Sequence, residues 1–166
     1  MPRFAANLTM MFNEVDFLGR FDAAGEAGFK GVEYLFPYPW EPQLLKGKLE
    51  QHNLTQVLFN MPPGDWDAGE RGIACLPDRV GEFQDGVGIA IEYANALGCK
   101  QVNCLAGIAP EGVDPDTLHK TLVSNLTFAA SNLEEAGTLL LVEAVNTRDM
   151  PGFLVNHTAQ VRSIIE

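Results

Sequence analysis

Short apolar segments alternate regularly with longer amphipathic segments along the chain, and this alternation constrains the fold more than any other feature of the sequence. The apolar segments occupy residues 4–12, 31–36, 54–60, 101–106 and 139–142. Apolar side chains at helical spacing occur between them, over residues 16–27, 42–52, 77–97 and 115–136. Strands that are each followed by a helix form parallel sheets. We therefore expect an α/β fold, with a parallel sheet and helical crossovers.

Glycine and proline mark the ends of the predicted helices. Gly28, Gly98 and Gly137 each follow a helical segment, at the position where a C-terminal cap favours a left-handed residue. Asp114 directly precedes the fourth helical segment, and Pro115 is its first residue. Aspartate at this position accepts hydrogen bonds from free backbone N–H groups, and proline suits the first helical position. Three glycines inside the third helical segment weaken it by roughly 1 kcal/mol each relative to alanine.

Length and composition limit the class of protein. The 166 residues are 46% hydrophobic and 20% charged, which is typical of a single globular domain. The apolar runs are too short to span a bilayer, and the first residues lead into a strand instead of a signal peptide. The three cysteines are odd in number and lack C-x-x-C spacing, so we expect them to be reduced and buried. These features predict a cytoplasmic protein with no membrane partner.

The charge of the chain limits its partners. The net charge is −11, from 22 acidic and 11 basic residues, and no basic stripe is visible. A chain this acidic repels the phosphates of nucleic acids. We therefore expect no nucleic-acid partner, and a small polar molecule as the substrate.

Glu143 is the strongest catalytic candidate in the sequence. It directly follows the apolar run at 139–142, which has the composition of a buried parallel strand. A charge at the carboxyl end of such a strand is expected to face a site. The alternative is a carboxylate at the rim that forms a salt bridge with a neighbouring loop.

The other site candidates lie at or just after the carboxyl ends of the predicted strands, where the site of a parallel barrel forms. The candidates for substrate binding are Asn7, Asn60, Glu70, Arg71, Gly107 and Asn146. Glu33 in the second predicted strand and Asn103 in the fourth are further polar residues in this group. The amides among these residues suit the recognition of hydroxyl and carboxylate groups.

The segment 60–77 is expected to be a long loop after the third strand. Its length is typical of a lid or a binding loop, and equally of a solvated surface loop. Arg71 and Arg148 could bind a carboxylate through two parallel hydrogen bonds. Each of these arginines, taken singly, also suits a surface ion pair.

Four segments of the chain resemble the hydroxypyruvate isomerases, which belong to the xylose-isomerase-like barrels. They are residues 4–12, 58–65, 68–72 and 142–152, and the last contains the string NTRDMPG. The resemblance implies an eight-stranded TIM-type barrel, of which residues 1–166 would form about the first five βα units of a single domain. It also implies interconversion of hydroxypyruvate and tartronate semialdehyde through an enediolate, on a small hydroxy-keto acid substrate.

The resemblance further implies a role for Glu143 and a cofactor. Such enzymes place two glutamates across the substrate, and Glu143 matches the first of them, as catalytic base and metal ligand. A divalent metal, Mg²⁺ or Mn²⁺, is expected from the family. The chain departs from many relatives in having Ala144 where they carry proline and Asn103 where they carry histidine.

The C-terminal residues raise a further expectation. Residues 160–166 form an amphipathic segment without a cap or a following strand, so the domain is expected to be truncated at its C-terminus. Five strands cannot close a barrel, so the open strand edges could drive self-association. The alternatives to a hydroxypyruvate isomerase are a non-catalytic barrel fragment and a related sugar or 2-oxo-tetronate isomerase or epimerase.

Overall fold

The computed structural model describes residues 2–166, and within them five parallel strands alternate with helices. The strands are β1 (Ala5–Asn7), β2 (Gly31–Glu33), β3 (Thr55–Asn60), β4 (Gln101–Cys104) and β5 (Leu139–Val142). The helices are α1 (Gly19–Glu26), α2 (Pro42–Gln51), α3 (Val80–Leu97), α4 (Pro115–Glu135) and α5 (Thr158–Ile165), and a 3₁₀ turn (Pro77–Arg79) precedes α3. The predicted alternation is therefore confirmed.

The five strands form one sheet in the order of the chain, β1-β2-β3-β4-β5, and every pair is parallel. The register brings the strand ends level with one another. Asn7 lies beside Glu33, and Asn60 lies beside Asn103. Parallel strands in consecutive order collect the side chains at their carboxyl ends along one rim of the sheet.

The first strand and the first helix are shorter than the sequence predicts. The predicted strand 4–12 pairs only over β1, because the backbone then turns, with the N–H groups of Met10 and Met11 donating to the Asn7 carbonyl over 3.1 and 2.8 Å. The helix expected from residue 16 begins at Gly19, because the Asp16 carboxylate accepts the Gly19 N–H over 2.9 Å outside the helix. Both differences come from local hydrogen bonds that compete with regular structure.

The structure confirms a predicted glycine cap at the C-terminus of one helix and the predicted aspartate cap at the N-terminus of another. Gly98 follows α3 with φ of 66°, a left-handed conformation that other residues adopt only with strain. At the start of α4 the Asp114 carboxylate accepts the Thr117 N–H over 2.9 Å. The hydrogen bonds from Thr117 lower the pKa of Asp114, so the cap remains charged at neutral pH.

The core lies between the sheet and the helices. Outward-facing strand residues such as Val32, Phe59 and Val102 join helix residues such as Phe21 and Leu122 in one buried cluster. The three cysteines are free and buried, as the sequence predicts. No helix within residues 2–166 is long and apolar enough to cross a membrane.

Two edges of the sheet are open in the part of the chain that the structure describes. There, β1 pairs only with β2, and β5 pairs only with β4. Apolar side chains are exposed beside these edges: Phe4 is 73% exposed and Leu139 is 58% exposed. The expected open edges are therefore present in this structure.

Candidate active site

A cavity of about 630 Å³ opens at the carboxyl ends of the five strands. Its polar lining residues come from five different strands or their ends, and they are Asn7, Glu33, Asn60, Asn103 and Glu143. The apolar part of the wall includes Trp66, Val145 and Met150 from the loops after β3 and β5. The strand ends at which the sequence predicts a site therefore line a single concave space.

A larger cavity, of about 850 Å³, lies at the opposite, amino end of the strands, where Gly31 and Thr55 line it. Its charged lining residues are Arg3 and Lys30, and its lining includes no carboxylate, histidine or side-chain amide. Proton transfer needs a group that can accept a proton at neutral pH. The smaller cavity is therefore the better candidate for an active site.

A line of hydrogen bonds across three strands fixes Glu143 in the smaller cavity. The Asn103 amide nitrogen Nδ2 donates to Glu143 Oε1 over 2.9 Å and to Asn60 Oδ1 over 3.0 Å. Asn103 is only 4% exposed and Asn60 only 5%. Because both partners are acceptors, the amide of Asn103 must turn its N–H₂ group toward them.

The backbone of Asn60 is also held in place. The Tyr38 hydroxyl donates to the Asn60 carbonyl over 2.7 Å. Burial raises the pKa of Tyr38 well above its ordinary value, so this hydroxyl stays protonated and remains a donor. Tyr38, Asn60, Asn103 and Glu143 thus form one connected polar network inside an apolar setting.

A second carboxylate lies at the same rim. Asn7 Nδ2 donates to Glu33 Oε1 over 3.0 Å, while Asn7 Oδ1 accepts the Thr9 N–H over 3.0 Å. Glu33 and Asn103 were not among the sequence candidates for binding or catalysis, although the structure places Glu33 at the end of β2 and Asn103 one residue before the end of β4. The signal that could have selected them is this shared position, because every strand in the sheet presents a polar residue there.

Of the sequence candidates, the structure brings Asn7, Asn60 and Glu143 together in the cavity. Gly107 and Asn146 are not among its lining residues. The Gly107 carbonyl accepts the Leu154 N–H over 2.9 Å. Asn146 Oδ1 accepts the N–H groups of Arg148 and Asp149 over 3.0 and 2.9 Å. Both residues therefore shape the loops around the rim.

Glu70 and Arg71 lie in the long loop after β3 and also stand outside the lining residues. The Glu70 carboxylate accepts the Asp65 N–H and pairs with the Arg79 guanidinium. Arg71 Nη1 donates to the Trp66 carbonyl over 3.0 Å, and its guanidinium carbon lies 4.0 Å from the centre of the Trp66 ring. The charged groups of Glu70 and Arg71 thus contact residues of the loop and Arg79, and not the cavity where the sequence predicts substrate binding.

The described residues do not form a metal centre on their own. Within residues 2–166 no group of three or more His, Cys, Asp or Glu side chains is placed to hold a metal ion. Glu143 Oε2 makes no hydrogen bond to any residue in that range, so it could supply one ligand. A hard divalent cation needs about six oxygen ligands, which one carboxylate does not provide.

The arrangement suits proton transfer next to a carbonyl group. Glu143 offers a carboxylate whose orientation is fixed and which has one free oxygen. The amides of Asn7, Asn60 and Asn103 surround the same cavity. A carboxylate can remove a proton from carbon, and amides can bind the oxygens on which charge develops.

Comparison with known proteins gives close relatives over nearly the whole chain. Hydroxypyruvate isomerase of Escherichia coli (strain K12) is 50% identical over 166 residues, which are 100% of this chain and 64% of that protein. The 2-oxo-tetronate isomerase of Cupriavidus necator is 48% identical over 156 residues, which are 94% of this chain and 60% of that protein. The chain thus spans less than two thirds of the length of these relatives.

A solved structure agrees with the fold. The crystal structure of a protein described as AP endonuclease, family 2, from Brucella melitensis superimposes with a TM-score of 0.96 at 52% identity. The match covers 99% of this chain and 64% of that chain. The model of the family described as xylose isomerase-like TIM barrel matches residues 21–166. The five-stranded parallel sheet is thus part of a (βα) barrel, as predicted, and the chain belongs to the xylose isomerase-like TIM barrel family.

Proposed function

We propose that the protein is an isomerase of the hydroxypyruvate type, which interconverts hydroxypyruvate and tartronate semialdehyde. The observation that carries the proposal is Glu143, which the Asn103 amide fixes at 2.9 Å in a cavity at the carboxyl ends of the strands. The similarity to the Escherichia coli enzyme supports it. The substrate partner is a small hydroxy-keto acid.

The proposed chemistry moves one hydrogen between neighbouring carbons. Glu143 removes a proton from C3 of hydroxypyruvate, and the electron pair of that C–H bond forms the C2–C3 double bond of an enediolate. The same proton then returns to C2, while the C3 hydroxyl loses its proton to the C2 oxygen. Asn60 and Asn7 line the cavity and are placed to donate hydrogen bonds to the two oxygens, on which negative charge increases. The Asn60 amide nitrogen donates to no residue within 2–166, and that of Asn7 keeps one N–H beyond its bond to Glu33.

A divalent metal, Mg²⁺ or Mn²⁺, belongs to the proposal for the protein as a whole. When bound, such an ion supplies positive charge that stabilises an enediolate. Glu143 would contribute one oxygen, and the remaining ligands are not placed beside it within residues 2–166. No step above therefore depends on the metal.

A 2-oxo-tetronate isomerase is the second candidate, because the relative with that name is 48% identical, almost as similar as the hydroxypyruvate isomerase. The two acids share the reacting 2-keto and 3-hydroxy groups and differ in length by one carbon. Turnover of each acid by the same preparation distinguishes the candidates. A non-catalytic fragment would turn over neither acid.

A nuclease is a weaker candidate, suggested by the description of the Brucella melitensis protein. The net charge of −11 opposes binding to a phosphate backbone. Incubation with a duplex that contains one abasic site tests this alternative directly. We expect no cleavage at a protein concentration that gives full isomerase turnover.

The location and self-association of the protein are also proposals. Three buried, free cysteines suit the reducing cytoplasm. The open edges of β1 and β5, with the exposed Phe4 and Leu139 beside them, favour association of the 166-residue chain with itself. Sedimentation velocity over a range of concentrations would detect it.

The decisive experiment measures turnover in two proteins. One is the 166-residue chain, and the other is a chimera in which this chain is followed by the part of the Escherichia coli isomerase that it does not match. We expect Glu143→Gln to reduce turnover in the chimera by at least about 100-fold, the usual scale for loss of an acid–base group. The exposed Glu135→Gln on α4 is the control, because it removes the same charge far from the cavity.

Two outcomes would contradict the proposal in different ways. Near-normal turnover by the Glu143→Gln chimera would show that Glu143 is not the base. A folded chimera that turns over neither acid, with or without Mg²⁺ or Mn²⁺, would overturn the isomerase function.

A further inference from the structure

The side chain of Trp66 contacts two neighbours at the edge of the candidate active site. The Arg71 guanidinium carbon lies over the indole ring, 4.0 Å from its centre. The Phe36 ring lies at 4.9 Å between centroids and an angle of 63°. Trp66 itself lines the cavity that contains Glu143. The indole is therefore a wall of the site and not a solvated loop residue.

The loop that carries Trp66 is closed on itself. The Gly72 N–H donates to the Pro63 carbonyl over 2.9 Å, and the Glu70 N–H donates to the Asp65 carbonyl over 2.9 Å. The Glu70 carboxylate also pairs with Arg79 at the start of α3. These bonds join the two ends of the loop and tie it to the next helix.

The closed loop is also pressed against the end of β4. Gly72 has φ of 103°, and a Cβ atom there would lie 2.2 Å from the Leu105 carbonyl oxygen. Only glycine allows such a close approach in this conformation. The position of the Trp66 wall relative to the strand ends is thus fixed by the backbone.

Arg71 makes its contacts within its own loop and not with the space where a substrate would bind. Its Nη1 atom donates to the carbonyls of Trp66 and Glu70 over 3.0 and 2.6 Å, and its guanidinium carbon lies over the indole ring. Arg71 is not among the lining residues of the cavity. A cation over an aromatic face is attracted to it, so Arg71 restrains the ring from outside the cavity.

We propose that Trp66 is a specificity-determining residue that limits the length of the hydroxy-keto acid beside Glu143, and that Arg71 is a positioning residue acting through Trp66. The inference rests on the proposed isomerase function. The indole is an apolar wall in this cavity. The added carbon of a longer acid carries a hydroxyl group that loses hydrogen bonds to water and finds no partner at such a wall, and a difference of one carbon in such a pocket changes kcat/KM by roughly 10- to 200-fold. The wall therefore favours the three-carbon acid over the four-carbon acid.

The first test is spectroscopic and needs no substrate. The 166-residue chain contains two tryptophans, so Trp40→Phe leaves Trp66 as its only indole. In this background we expect Arg71→Ala to lower the fluorescence anisotropy of Trp66 and to shift its emission to the red. An unchanged spectrum would overturn the positioning role of Arg71.

The second test measures specificity in the chimera with hydroxypyruvate and 2-oxo-tetronate. We expect Trp66→Ala to raise the ratio of kcat/KM for the four-carbon acid to that for the three-carbon acid by at least about 10-fold. Trp66→Phe, which keeps an aromatic wall, should give a smaller rise and guards against misfolding of the alanine variant. Phe128→Ala on the outer face of α4 is the control, since it truncates an exposed aromatic residue away from the cavity.

Arg71→Lys separates the two roles of the arginine. If Arg71 acted through a direct contact with the substrate carboxylate, lysine would keep the charge and restore much of the KM. We expect instead that Arg71→Lys raises the specificity ratio as Arg71→Ala does, because both variants lose the guanidinium that lies over the indole and donates to the loop carbonyls.

The outcomes distinguish this inference from the function on which it rests. An active chimera with an unchanged specificity ratio in Trp66→Ala would overturn the inference and leave the isomerase function intact. A wild-type chimera that turns over neither acid would overturn both.

Discussion

Asn103 on β4 donates one hydrogen bond to Glu143, directly after β5, over 2.9 Å, and a second from the same nitrogen to Asn60 on β3, over 3.0 Å. A neutral amide thus orients the proposed base from the neighbouring strand. The orientation of Glu143 depends on the N–H₂ group of Asn103, because Glu143 and Asn60 both accept hydrogen bonds from it. Replacing that donor is the sharpest way to disturb Glu143 without changing it.

We predict that Asn103→Asp reduces kcat/KM of the chimera at pH 7 by roughly 100-fold, and more than Asn103→Ala does. Aspartate has nearly the same shape but places a second carboxylate against Glu143, and like charges at this distance cannot both ionise easily. Steady-state kinetics from pH 5 to 9 provide the measurement. Asn132→Asp, on the exposed side of α4 with a bond to the Phe128 carbonyl, is the matched control.

Wild-type activity in Asn103→Asp would mean that the Asn103 contact does not determine how Glu143 functions. A loss that is equal in Asn103→Asp and Asn132→Asp would point to a general effect of added negative charge.

We predict that the 166-residue chain binds Mg²⁺ or Mn²⁺ no more tightly than about 1 mM, the weak end of natural oxygen-ligand sites. The reason is that no group of three metal-binding side chains lies within residues 2–166. Isothermal titration calorimetry of the chain and of Glu143→Gln measures this. Micromolar binding that disappears in Glu143→Gln would contradict the prediction and would require further ligands near Glu143.

The position of Glu143 could be predicted from the sequence because it depends on local pattern. A leucine-rich run followed by one carboxylate specifies a buried strand and its end, and parallel register then places that end beside Asn103 and Asn60. The placement of Arg71 could not be predicted in this way. Its guanidinium turns back onto Trp66, five residues earlier in the chain, and this choice depends on how the loop closes.

The ends of the helices and the turn after β1 show the same difference between local and long-range causes. Helix ends at Gly98 and Asp114 follow from backbone conformation and capping, which a short sequence window contains. The placement of the turn after β1 does not, because Thr9 Oγ1 in this turn accepts the Leu35 N–H over 2.9 Å from the segment that follows β2. That bond joins residues 26 positions apart, so only the assembled sheet determines it.

We predict opposite effects on stability for two glycine-to-alanine substitutions. Gly72→Ala should lower the free energy of unfolding by about 1–3 kcal/mol, because its left-handed conformation and the Leu105 carbonyl at 2.2 Å exclude a Cβ atom. Gly81→Ala should raise it by up to about 1 kcal/mol, since this position in α3 has open space around it. Urea unfolding followed by circular dichroism measures both. A stabilised Gly72→Ala variant would show that the loop can move away from β4.

We predict that the thiols of the native chain react slowly at pH 8. Burial raises the pKa of Cys75 to about 11 and that of Cys104 to about 12. Because the thiolate is the reactive form, only about one Cys75 thiol in a thousand is ionised at pH 8. A disulfide reagent should therefore react at least about 100-fold more slowly with the folded chain than with the chain in denaturant, and the native rate should rise with pH.

Rapid reaction of one thiol per folded chain at pH 8 would contradict this prediction. Single replacements by serine would then identify which cysteine is accessible.

The order of the strands has a consequence for how the protein is made. Within residues 2–166, the five strands pair in the order of the chain, so each of these pairings forms between neighbouring βα units. As synthesis proceeds from the N-terminus, each new βα unit meets a docking edge that the previous unit has already formed. The polar residues of the cavity emerge in the same order, Asn7 first and Glu143 last. The first four strands and their polar residues are thus synthesised before the proposed catalytic base.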